Sequence, residues 1–311
     1  MREQIYRRLK TAGGYISGET ISEQLGITRA ALWKHIRAME ADGAAIGSAN
    51  KRGYKLESPP EAPRTEYVSA HIRHDIPLFY QPSTKSTNDD AKAAARELQT
   101  GVFIAGEQTA GKGRKGRTWV SEPRSGIYMS FLVRPKTVPE KVAGLTLAVA
   151  VAMCHAIESV SDASARIKWP NDIIVGGKKA AGILTESMLN MDGVDYVVCG
   201  IGVNTQARFE GALAQTAIGV SANGTLLAAA MIDHFLDAYE EFELHGLKPF
   251  MDEFRLRSAI SGAVTVSSAS GSESGVLIGF DDDGALLLNV DGDNRRYVAG
   301  EVSLRGEKGY V

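Results

Sequence analysis

The chain has 311 residues, of which 44% are hydrophobic and 23% charged, and its formal net charge is −2 at pH 7. That length allows two or three domains, and this composition is ordinary for a soluble globular protein. The two cysteines, Cys154 and Cys199, have apolar neighbours and no metal-binding spacing, which excludes a disulfide framework and indicates a cytoplasmic protein.

Residues 1–58 are predicted to form a winged helix-turn-helix domain. The first ten residues are charged and lack the apolar stretch of a signal peptide. A first helix ends at Gly13, a second helix is followed by a tight turn at Gly26, and Thr28 is the predicted N-cap of a third helix. A strand, a basic turn and another strand follow, as in a wing.

This domain carries a positive charge on an acidic protein. It contains ten Lys or Arg against six Asp or Glu, a net charge of +4, so the remainder carries −6. Such a domain can insert a helix into the major groove while its basic wing contacts phosphates. The alternative is a winged helix that makes only protein contacts or is a folded spacer. The candidate DNA-binding residues are Arg29, Trp33, Lys34, Arg37, Lys51 and Arg52.

A proline-rich segment, residues 59–64, separates this domain from the rest. Pro59, Pro60 and Pro63 can continue neither a helix nor a strand, so we expect a stiff linker. Residues 65–257 then alternate between predicted strands and helices. Adjacent strands without an intervening helix favour a mixed α+β sheet over a doubly wound parallel one.

Three local predictions complete the fold. The apolar run from Val142 to Ile157 is too short and too marked by His and Thr to span a bilayer, so it predicts a buried helix in which His155 is a core residue. A helix over "STNDDAKAAARELQT" is predicted to be capped by Ser86 or Thr87. Short alternating apolar runs in residues 258–311 predict a small C-terminal β-barrel of SH3-like size.

The stretch "TAGKGRKGRTW" (109–119) nearly fits two phosphate-binding motifs, the dinucleotide fingerprint and the P-loop. Both motifs need a helix directly after the glycines, because the helix N-terminus supplies the anion site. Here Pro123 and Gly126 break any helix, and a strand is predicted next. Four cations within six residues predict instead a mobile loop that orders around an anionic ligand; a solvated basic surface loop is the alternative.

A second unusual segment, "RIKWPNDIIVGGKKAAGILTES", also indicates an anion site. Lys168 lies in a predicted strand before a rigid Trp-Pro-Asn-Asp turn, and Lys179 lies just before another buried-looking strand. Lysines beside apolar strands are costly to bury unless an anion meets them. Together with the loop cations and Asp172, they predict a site for a carboxylate and a nucleotide phosphate.

In order and spacing, these segments resemble the biotin–protein ligases. The resemblance covers nearly the whole chain and is closest to the bifunctional bacterial form, whose N-terminal DNA-binding domain represses biotin biosynthesis. One departure is Lys112, where the family commonly has Arg, so the charge is kept but not the bidentate geometry. The matching motifs are "STN" (86–88), "EQTAGKGRKGRTW" (107–119), "KWPNDI" (168–173), "KKAAGILTE" (178–186), "GIGVN" (200–204) and "GEVSLRG" (300–306).

The resemblance implies a class II synthetase-like catalytic domain and a two-step reaction. Biotin carboxylate attacks the α-phosphorus of Mg-ATP, which gives biotinyl-5′-AMP and pyrophosphate. A lysine of a biotin carboxyl carrier domain, as in acetyl-CoA carboxylase, then attacks the mixed anhydride and releases AMP. Because no enzyme nucleophile is needed, catalysis rests on positioning and charge stabilisation.

The resemblance also implies roles for individual residues, in overlapping sets. The catalytic residues would be Arg114, Lys168, Asp172 and Lys179. The biotin site would comprise Ser86, Thr87, Asn88, Gln108, Lys112, Gly113, Arg114, Lys179, Gly200 and Gly202. The nucleotide and its phosphates would contact Gly111, Lys112, Arg114, Gly116, Arg117, Trp119, Asn171 and Asn204. No side-chain cluster indicates a metal, so Mg²⁺ would enter with ATP near Asp172.

Regulation and partners follow from the same resemblance. In this family the adenylate promotes homodimerisation and thereby operator binding, so the implied partners are operator DNA, a second copy of the chain and the carrier domain, with no membrane. Residues 205–224 are predicted to form a second flexible loop that could cover adenine.

Two other functions compete with this interpretation. A lipoate–protein ligase has a similar catalytic fold, but the pair "GKGRKGRTW" and "KWPND" behind a winged helix argues against it. A biotin-sensing repressor without ligase activity would not need Lys168, Asp172 and Lys179, because sensing alone requires no adenylation site.

Overall fold

A computed structural model describes residues 1–311 except 192, 206–208, 212, 269–270, 299 and 305–311. The helices in this described part are α1 (Arg2–Ala12), α2 (Gly18–Leu25), α3 (Arg29–Ala41), α4 (Thr65–Val68), α5 (Thr87–Ala94), α6 (Val142–Ser159), α7 (Leu213–Thr216), α8 (Gly224–His245) and α9 (Met251–Leu256). The strands are β1 (Ala45–Ala49), β2 (Gly53–Ser58), β3 (Leu78–Gln81), β4 (Gly101–Ala105), β5 (Gly126–Val133), β6 (Ala165–Lys168), β7 (Asp172–Val175), β8 (Lys178–Asn190), β9 (Gly193–Asn204), β10 (Ala263–Ser268), β11 (Gly271–Phe280), β12 (Leu286–Val290), β13 (Asp293–Tyr297) and β14 (Glu301–Leu304).

The N-terminal part is a winged helix, as its helix-ending glycines and its capping threonine predict. Gly13 and Gly26 end α1 and α2 in the left-handed conformation, with φ of 58° and 62°. The Thr28 hydroxyl accepts the backbone N–H of Ala31 at the start of α3. β1 and β2 pair as an antiparallel hairpin. A separate apolar cluster that includes Ile5 and other inward residues of α1, α2 and α3 forms the core of this domain.

The central part is a seven-stranded mixed sheet in the order β3-β4-β5-β9-β8-β7-β6. β3 and β4 are parallel, and the other neighbours are antiparallel, which confirms the prediction of a mixed sheet. Helices α6 and α8 cover one face, in one apolar cluster with Phe131 and Val197. Helix α5 packs on the other face, against Leu132 and Val198. Alternation along each strand therefore supplies both interfaces.

Helix α6 is the central core element. Its length and mean hydropathy would suit a membrane span, but 72% of the helix is buried inside the protein, as predicted for a core helix. The prediction that His155 is a core residue is wrong. Its side chain is 43% exposed, and its Nε2 lies 2.9 Å from Glu253 Oε1, because this position of the helix faces α9 at the surface.

The C-terminal part is a five-stranded antiparallel sheet in the order β13-β12-β11-β10-β14. Its described strands form an open sheet, with no pairing between β13 and β14, so closure into the predicted SH3-like barrel is not found in the described residues. The sheet packs on the catalytic part through Val264 and Leu286. Trp169 Nε1 donates to the Gly284 carbonyl at 3.0 Å, which docks the sheet on the turn after β6.

Helix α5 departs from its predicted form in two ways. It ends at Ala94, well before the end of the predicted stretch. Ser86 occupies the N-cap position, but its side chain makes no capping hydrogen bond in the described structure. Ser86 and Thr87 are both nearly fully buried, at 2% and 3% exposure, so their hydroxyls face the interior instead of the helix end.

Candidate functional site

One cavity of about 350 Å³ collects most of the residues predicted to act. It lies over the β8 and β9 strands, beside the start of α5, and under the loop 109–119. The turn between β6 and β7 and the C-terminal sheet complete its wall. The predicted site residues that line it are Ser86, Thr87, Asn88, Gln108, Lys112, Gly113, Arg114, Arg117, Trp119, Lys168, Asn171, Asp172, Lys179, Gly200 and Gly202.

Three predicted nucleotide-binding residues are absent from this lining. Gly111 is buried behind the loop, and Gly116 is at the exposed loop tip with φ of 73°. Asn204 is 6% exposed, and its carbonyl accepts the Val220 N–H at 2.8 Å. Its amide donates to the Lys179 carbonyl at 3.4 Å, so Asn204 lies behind the cavity wall in this conformation.

One end of the cavity is a wall of neutral hydrogen-bonding groups. Gln108 Oε1 accepts the Thr87 backbone N–H at 2.8 Å and lies 3.1 Å from the Thr87 hydroxyl. Gln108 Nε2 donates to Ser121 Oγ at 2.9 Å. These bonds hold Gln108 and the start of α5 together, although the two segments are separated by β4 in the chain. The wall suits a ligand with several donors and acceptors of its own.

Two residues that support this wall from behind are missing from the sequence predictions. Ser130 is fully buried in β5, and its Oγ lies 2.7 Å from Thr87 Oγ1 and 2.6 Å from Asn88 Oδ1. Glu186 of β8 accepts the Asn88 amide N–H at 2.7 Å and pairs with Lys92 of α5 at 2.6 Å. A serine inside the apolar run "GIYMSFLV" was the available signal for Ser130, whereas nothing local distinguishes Glu186 from a surface carboxylate.

The pKa of the Glu186 carboxyl is lower than its ordinary value. Burial acts to raise this pKa, but the hydrogen bonds from Lys92 and Asn88 and the positive charge of Lys92 lower it on balance. The carboxylate is therefore ionised at neutral pH. By contrast, burial raises the pKa of the Cys199 thiol of β9 to about 12, so this thiol stays protonated at neutral pH.

The opposite end of the cavity is ionic. Lys179 Nζ lies 2.6 Å from Asp172 Oδ1, and the two side chains are 23% and 12% exposed. Lys168 is 9% exposed and is the register partner of Asp172 across the β6–β7 hairpin. The predicted catalytic lysines and aspartate are thus neighbours, although ten residues lie between Lys168 and Lys179 in the chain. This arrangement can stabilise the negative charge that develops in acyl and phosphoryl transfer.

The loop 109–119 closes the cavity from above and contains no α-helix. Its backbone is held by the Gly113 N–H to the Arg117 carbonyl at 2.7 Å. Lys112 Nζ pairs with Asp89 at 2.5 Å, and Arg114 donates to Asn171 Oδ1 at 3.0 Å. The next regular element is strand β5, so the rejection of the P-loop and of the dinucleotide fingerprint is confirmed.

Gly200 and Gly202 make room for side chains of this chain. A Cβ atom on Gly200 would lie 2.0 Å from Asn88 Oδ1, and one on Gly202 would lie 2.5 Å from Trp119 Nε1. Trp119 also has Lys179 Nζ 5.2 Å from its ring centroid, within the range of a cation–π contact. Because these two positions are glycines, Asn88 of the polar wall and Trp119 of the loop can pack directly against β9.

No group of three or more His, Cys, Asp or Glu side chains that could hold a metal occurs in the described part of the chain. A hard cation that arrives with phosphate needs only one or two carboxylates from the protein, and Asp172 is the carboxylate that lines this cavity.

The predicted DNA-binding residues are all exposed, on α3 and in the turn of the wing. Trp33 is 51% exposed on α3, and the Arg37 guanidinium lies 5.3 Å from its ring centroid. Arg52, in the turn of the wing, stacks on Tyr15 at 4.5 Å. Arg29, Lys34 and Lys51 are exposed as well. The surface combines a helix and a basic turn, as a major-groove reader with a phosphate-contacting wing requires.

Comparisons with known proteins agree with both parts of the molecule. Residues 80–204 match the Biotin/lipoate A/B protein ligase family, and residues 1–55 match the HTH domain family. The chain is 31% identical to the "Bifunctional ligase/repressor BirA" of Bacillus spizizenii, over 98% of both chains. It is 30% identical to the protein of the same name from Escherichia coli K12, over 94% of both chains.

A solved structure shares the fold of most of this chain. It is the biotin protein ligase from Aquifex aeolicus in complex with biotin and ATP, with a TM-score of 0.64 and 24% identity. The match covers 74% of this chain and 98% of that protein. At this identity the likeness concerns the fold alone.

Proposed function

The chain belongs to the bifunctional biotin–protein ligases, ligases with an N-terminal helix-turn-helix repressor domain, and within this family we propose how its own residues divide the work. One observation carries the proposal. A neutral hydrogen-bonding wall and an ionic cluster occupy the two ends of one cavity of about 350 Å³, under a cationic loop. That pairing suits biotin, which has a cyclic urea at one end and a carboxylate at the other.

In the first step, a biotin carboxylate oxygen bonds to the α-phosphorus of ATP, and the bond from that phosphorus to pyrophosphate breaks. Ser86, Thr87, Asn88 and Gln108 hold the urea, so the carboxylate reaches the ionic end. Lys168 and Arg114 stabilise the charge on the α-phosphate, and Lys179 neutralises the carboxylate or the anhydride oxygen.

In the second step, the amine of an acceptor lysine bonds to the acyl carbon of the adenylate. The bond from that carbon to the phosphate oxygen breaks, AMP leaves, and the nitrogen loses a proton. The Asp172 carboxylate, at the ionic end of the cavity, would orient the incoming amine. The acceptor is a biotin carboxyl carrier domain of an acetyl-CoA carboxylase, in keeping with the chain's family.

Further residues bind the nucleotide. Lys112, Gly113, Arg117 and Asn171 line the cavity near the phosphates, and Trp119 forms a wall for adenine. We also assign nucleotide contacts to Gly111, Gly116 and Asn204, which do not line the cavity in this structure. Asp172 would hold a Mg²⁺ ion that accompanies ATP, and that ion would supply charge neutralisation at the phosphates.

The remaining proposals concern domains and regulation. Residues 1–58 are the DNA-binding domain, 59–64 the linker, 65–257 the catalytic domain of class II synthetase type, and 258–311 a small SH3-like barrel. The chain acts in the cytoplasm, binds its operator through Arg29, Trp33, Lys34, Arg37, Lys51 and Arg52, and dimerises when the adenylate is bound. Residues 205–224 cover adenine; residues 206–208 and 212 of this segment lie outside the described part.

The first experiment incubates the pure chain with Mg-ATP and either biotin or lipoate. With biotin but not with lipoate, we expect pyrophosphate release and a product with the mass of the biotinyl adenylate. Release with lipoate would favour a lipoate-type ligase, and release with neither acid would favour a biotin-sensing repressor. The repressor function is tested next, by binding to DNA upstream of biotin biosynthesis genes with and without that adenylate. Arg52→Ala should weaken binding and reduce its dependence on salt.

A further inference from the structure

We propose that Glu186, held in place by Lys92, is a positioning residue that fixes the Asn88 amide and thereby makes Thr87 a hydrogen-bond acceptor for an N–H of a cyclic urea. This inference rests on the proposed function, because it concerns the same biotin cavity. Glu186 itself is not among the cavity-lining residues. It acts through the wall, from behind.

The side-chain amide of Asn88 is held in one orientation. Its amide nitrogen faces Glu186 Oε2 at 2.7 Å, and its amide oxygen faces Ser130 Oγ at 2.6 Å. An ionised carboxylate can only accept hydrogen bonds, so the NH₂ end of the amide must face it. Lys92 Nζ lies 2.6 Å from the other carboxylate oxygen and keeps the charge paired. The ion pair therefore removes the freedom of Asn88 to flip.

The orientation of Asn88 determines how the hydroxyl protons of Ser130 and Thr87 are used. Because Asn88 Oδ1 has no proton to give, its contact with Ser130 uses the single proton of the Ser130 hydroxyl. The same Ser130 hydroxyl also faces Thr87 Oγ1 at 2.7 Å, so Asn88 and Thr87 share its proton. The Thr87 hydroxyl donates its own proton to Gln108 Oε1 at 3.1 Å, inside the wall. Because Asn88 takes part of the Ser130 proton, Thr87 keeps lone-pair capacity for the cavity.

This polarity selects the chemistry of the ligand. A cyclic urea carries two N–H donors beside its carbonyl, and a wall that presents a hydroxyl lone pair matches one of those donors. With Glu186 removed, a flipped Asn88 would donate to Ser130, and the Ser130 proton, no longer shared with Asn88, would point at Thr87 alone. The lone pair of Thr87 would then be used inside the wall, and its affinity for an N–H would fall.

The test is Glu186→Gln, with Glu97→Gln as the matched control, since Glu97 is exposed on the segment after α5. Calorimetry measures the Kd of biotin, desthiobiotin and ATP, and steady-state kinetics measures KM for biotin and ATP and kcat. We expect Glu186→Gln to weaken biotin and desthiobiotin by the same factor, about 10- to 100-fold, because both contain the urea. ATP affinity and the thermal midpoint should match those of the control.

The ion pair is tested separately at Lys92. Lys92→Met should weaken biotin binding, whereas Lys92→Arg should retain most of the affinity because it keeps a cation beside Glu186. Equal biotin affinity in Glu186→Gln and the wild type would overturn the inference and leave the proposed function standing. A parallel loss of biotin affinity, ATP affinity and thermal stability would also overturn it, as a purely structural role. A wild type that binds no biotin would refute the proposed function and this inference together.

Discussion

The linker 59–64 and the loop 109–119 both join parts of the molecule, and they are held in opposite ways. The linker is clasped from both sides by backbone and amide groups. The Asp42 carbonyl, at the end of α3, accepts the Glu61 N–H at 3.1 Å, and Asn223 Nδ2, before α8, donates to Glu61 Oε1 at 3.1 Å. The DNA-binding and catalytic parts therefore meet at a fixed junction in this structure.

The loop 109–119 is anchored at its start by backbone bonds, such as the Thr109 N–H to the Thr84 carbonyl at 2.9 Å, but its cationic part is held by the ends of long side chains. Lys112 pairs with Asp89, and both side chains are more than 40% exposed. Arg114 contacts Asn171 and the Gly300 carbonyl at 3.0 and 3.2 Å. Exposed ion pairs contribute only about 0–1 kcal/mol each, so an anionic ligand can replace them at little cost.

The difference shows which segment a ligand can move. A small anion does not compete for helix caps or backbone hydrogen bonds, but it does compete for cationic side chains that face a cavity. We therefore expect ligands to order the loop and leave the linker as it is. Variants at the cavity should change chemistry and binding, and variants at the linker should change stability.

The largest effect should come from the cavity cations. Lys179→Ala removes the charge that faces the carboxylate and its anhydride, so adenylate formation should fall by at least about 100-fold, with biotin transfer lost in proportion. Pyrophosphate release measures the first step. Lys178→Ala, at the adjacent position that contacts the Ala214 carbonyl, is the control. A normal rate in Lys179→Ala would refute the catalytic assignment.

The next largest effect should separate the fixed wall from the movable loop. Gly200→Ala places a Cβ against Asn88, whose amide is anchored, so biotin affinity should fall about 10- to 100-fold. Gly202→Ala meets Trp119, which belongs to the loop and can shift, so its main effect should be a smaller loss of ATP affinity. Calorimetry with each ligand checks both. Equal losses in the two variants would contradict the distinction.

A moderate effect is expected on the linker side. Asp42→Asn weakens the acceptor of Arg64 Nε at 3.1 Å and of the Tyr67 hydroxyl at 2.6 Å. The free energy of unfolding should fall by about 1–3 kcal/mol, while adenylate formation by the folded protein stays normal. Denaturant titration measures this, with the exposed Asp75→Asn as control. A variant that lost adenylation and kept its stability would reverse the comparison.

The smallest effect should be a pH dependence of the same junction. Burial, with smaller contributions from the charges of Lys10 and Arg7, lowers the pKa of His71 from 6.5 to about 4. The unfolded chain then binds a proton that the folded chain does not, so His71 destabilises the fold as pH falls from 6.5 toward 4. Unfolding titrations of wild type and His71→Gln check this. The contribution is disproved if both proteins lose stability equally over that range.

Much of the architecture could be predicted from local features of the sequence. Gly13, Gly26 and Thr28 end or begin helices by backbone conformation and by a single side-chain bond, which are decided within a few residues. The all-round apolar character of α6 marks a core helix for the same reason. The residues with unusual chemistry, such as Lys168 and Lys179, could be selected because their charge conflicts with their apolar neighbours.

The tertiary structure decided what depends on contacts between distant positions. Asn88 and Glu186 are 98 residues apart, and Asn223 is 162 residues from Glu61, so no local pattern could pair them. His155 lies in an apolar helix, yet its position on that helix faces the surface. By itself, the sequence determined the winged helix, the mixed sheet and the set of charged site residues, because propensity, periodicity and charge act along the chain. Only the fold decided which buried side chains share protons, because those hydrogen bonds join residues of different strands and helices.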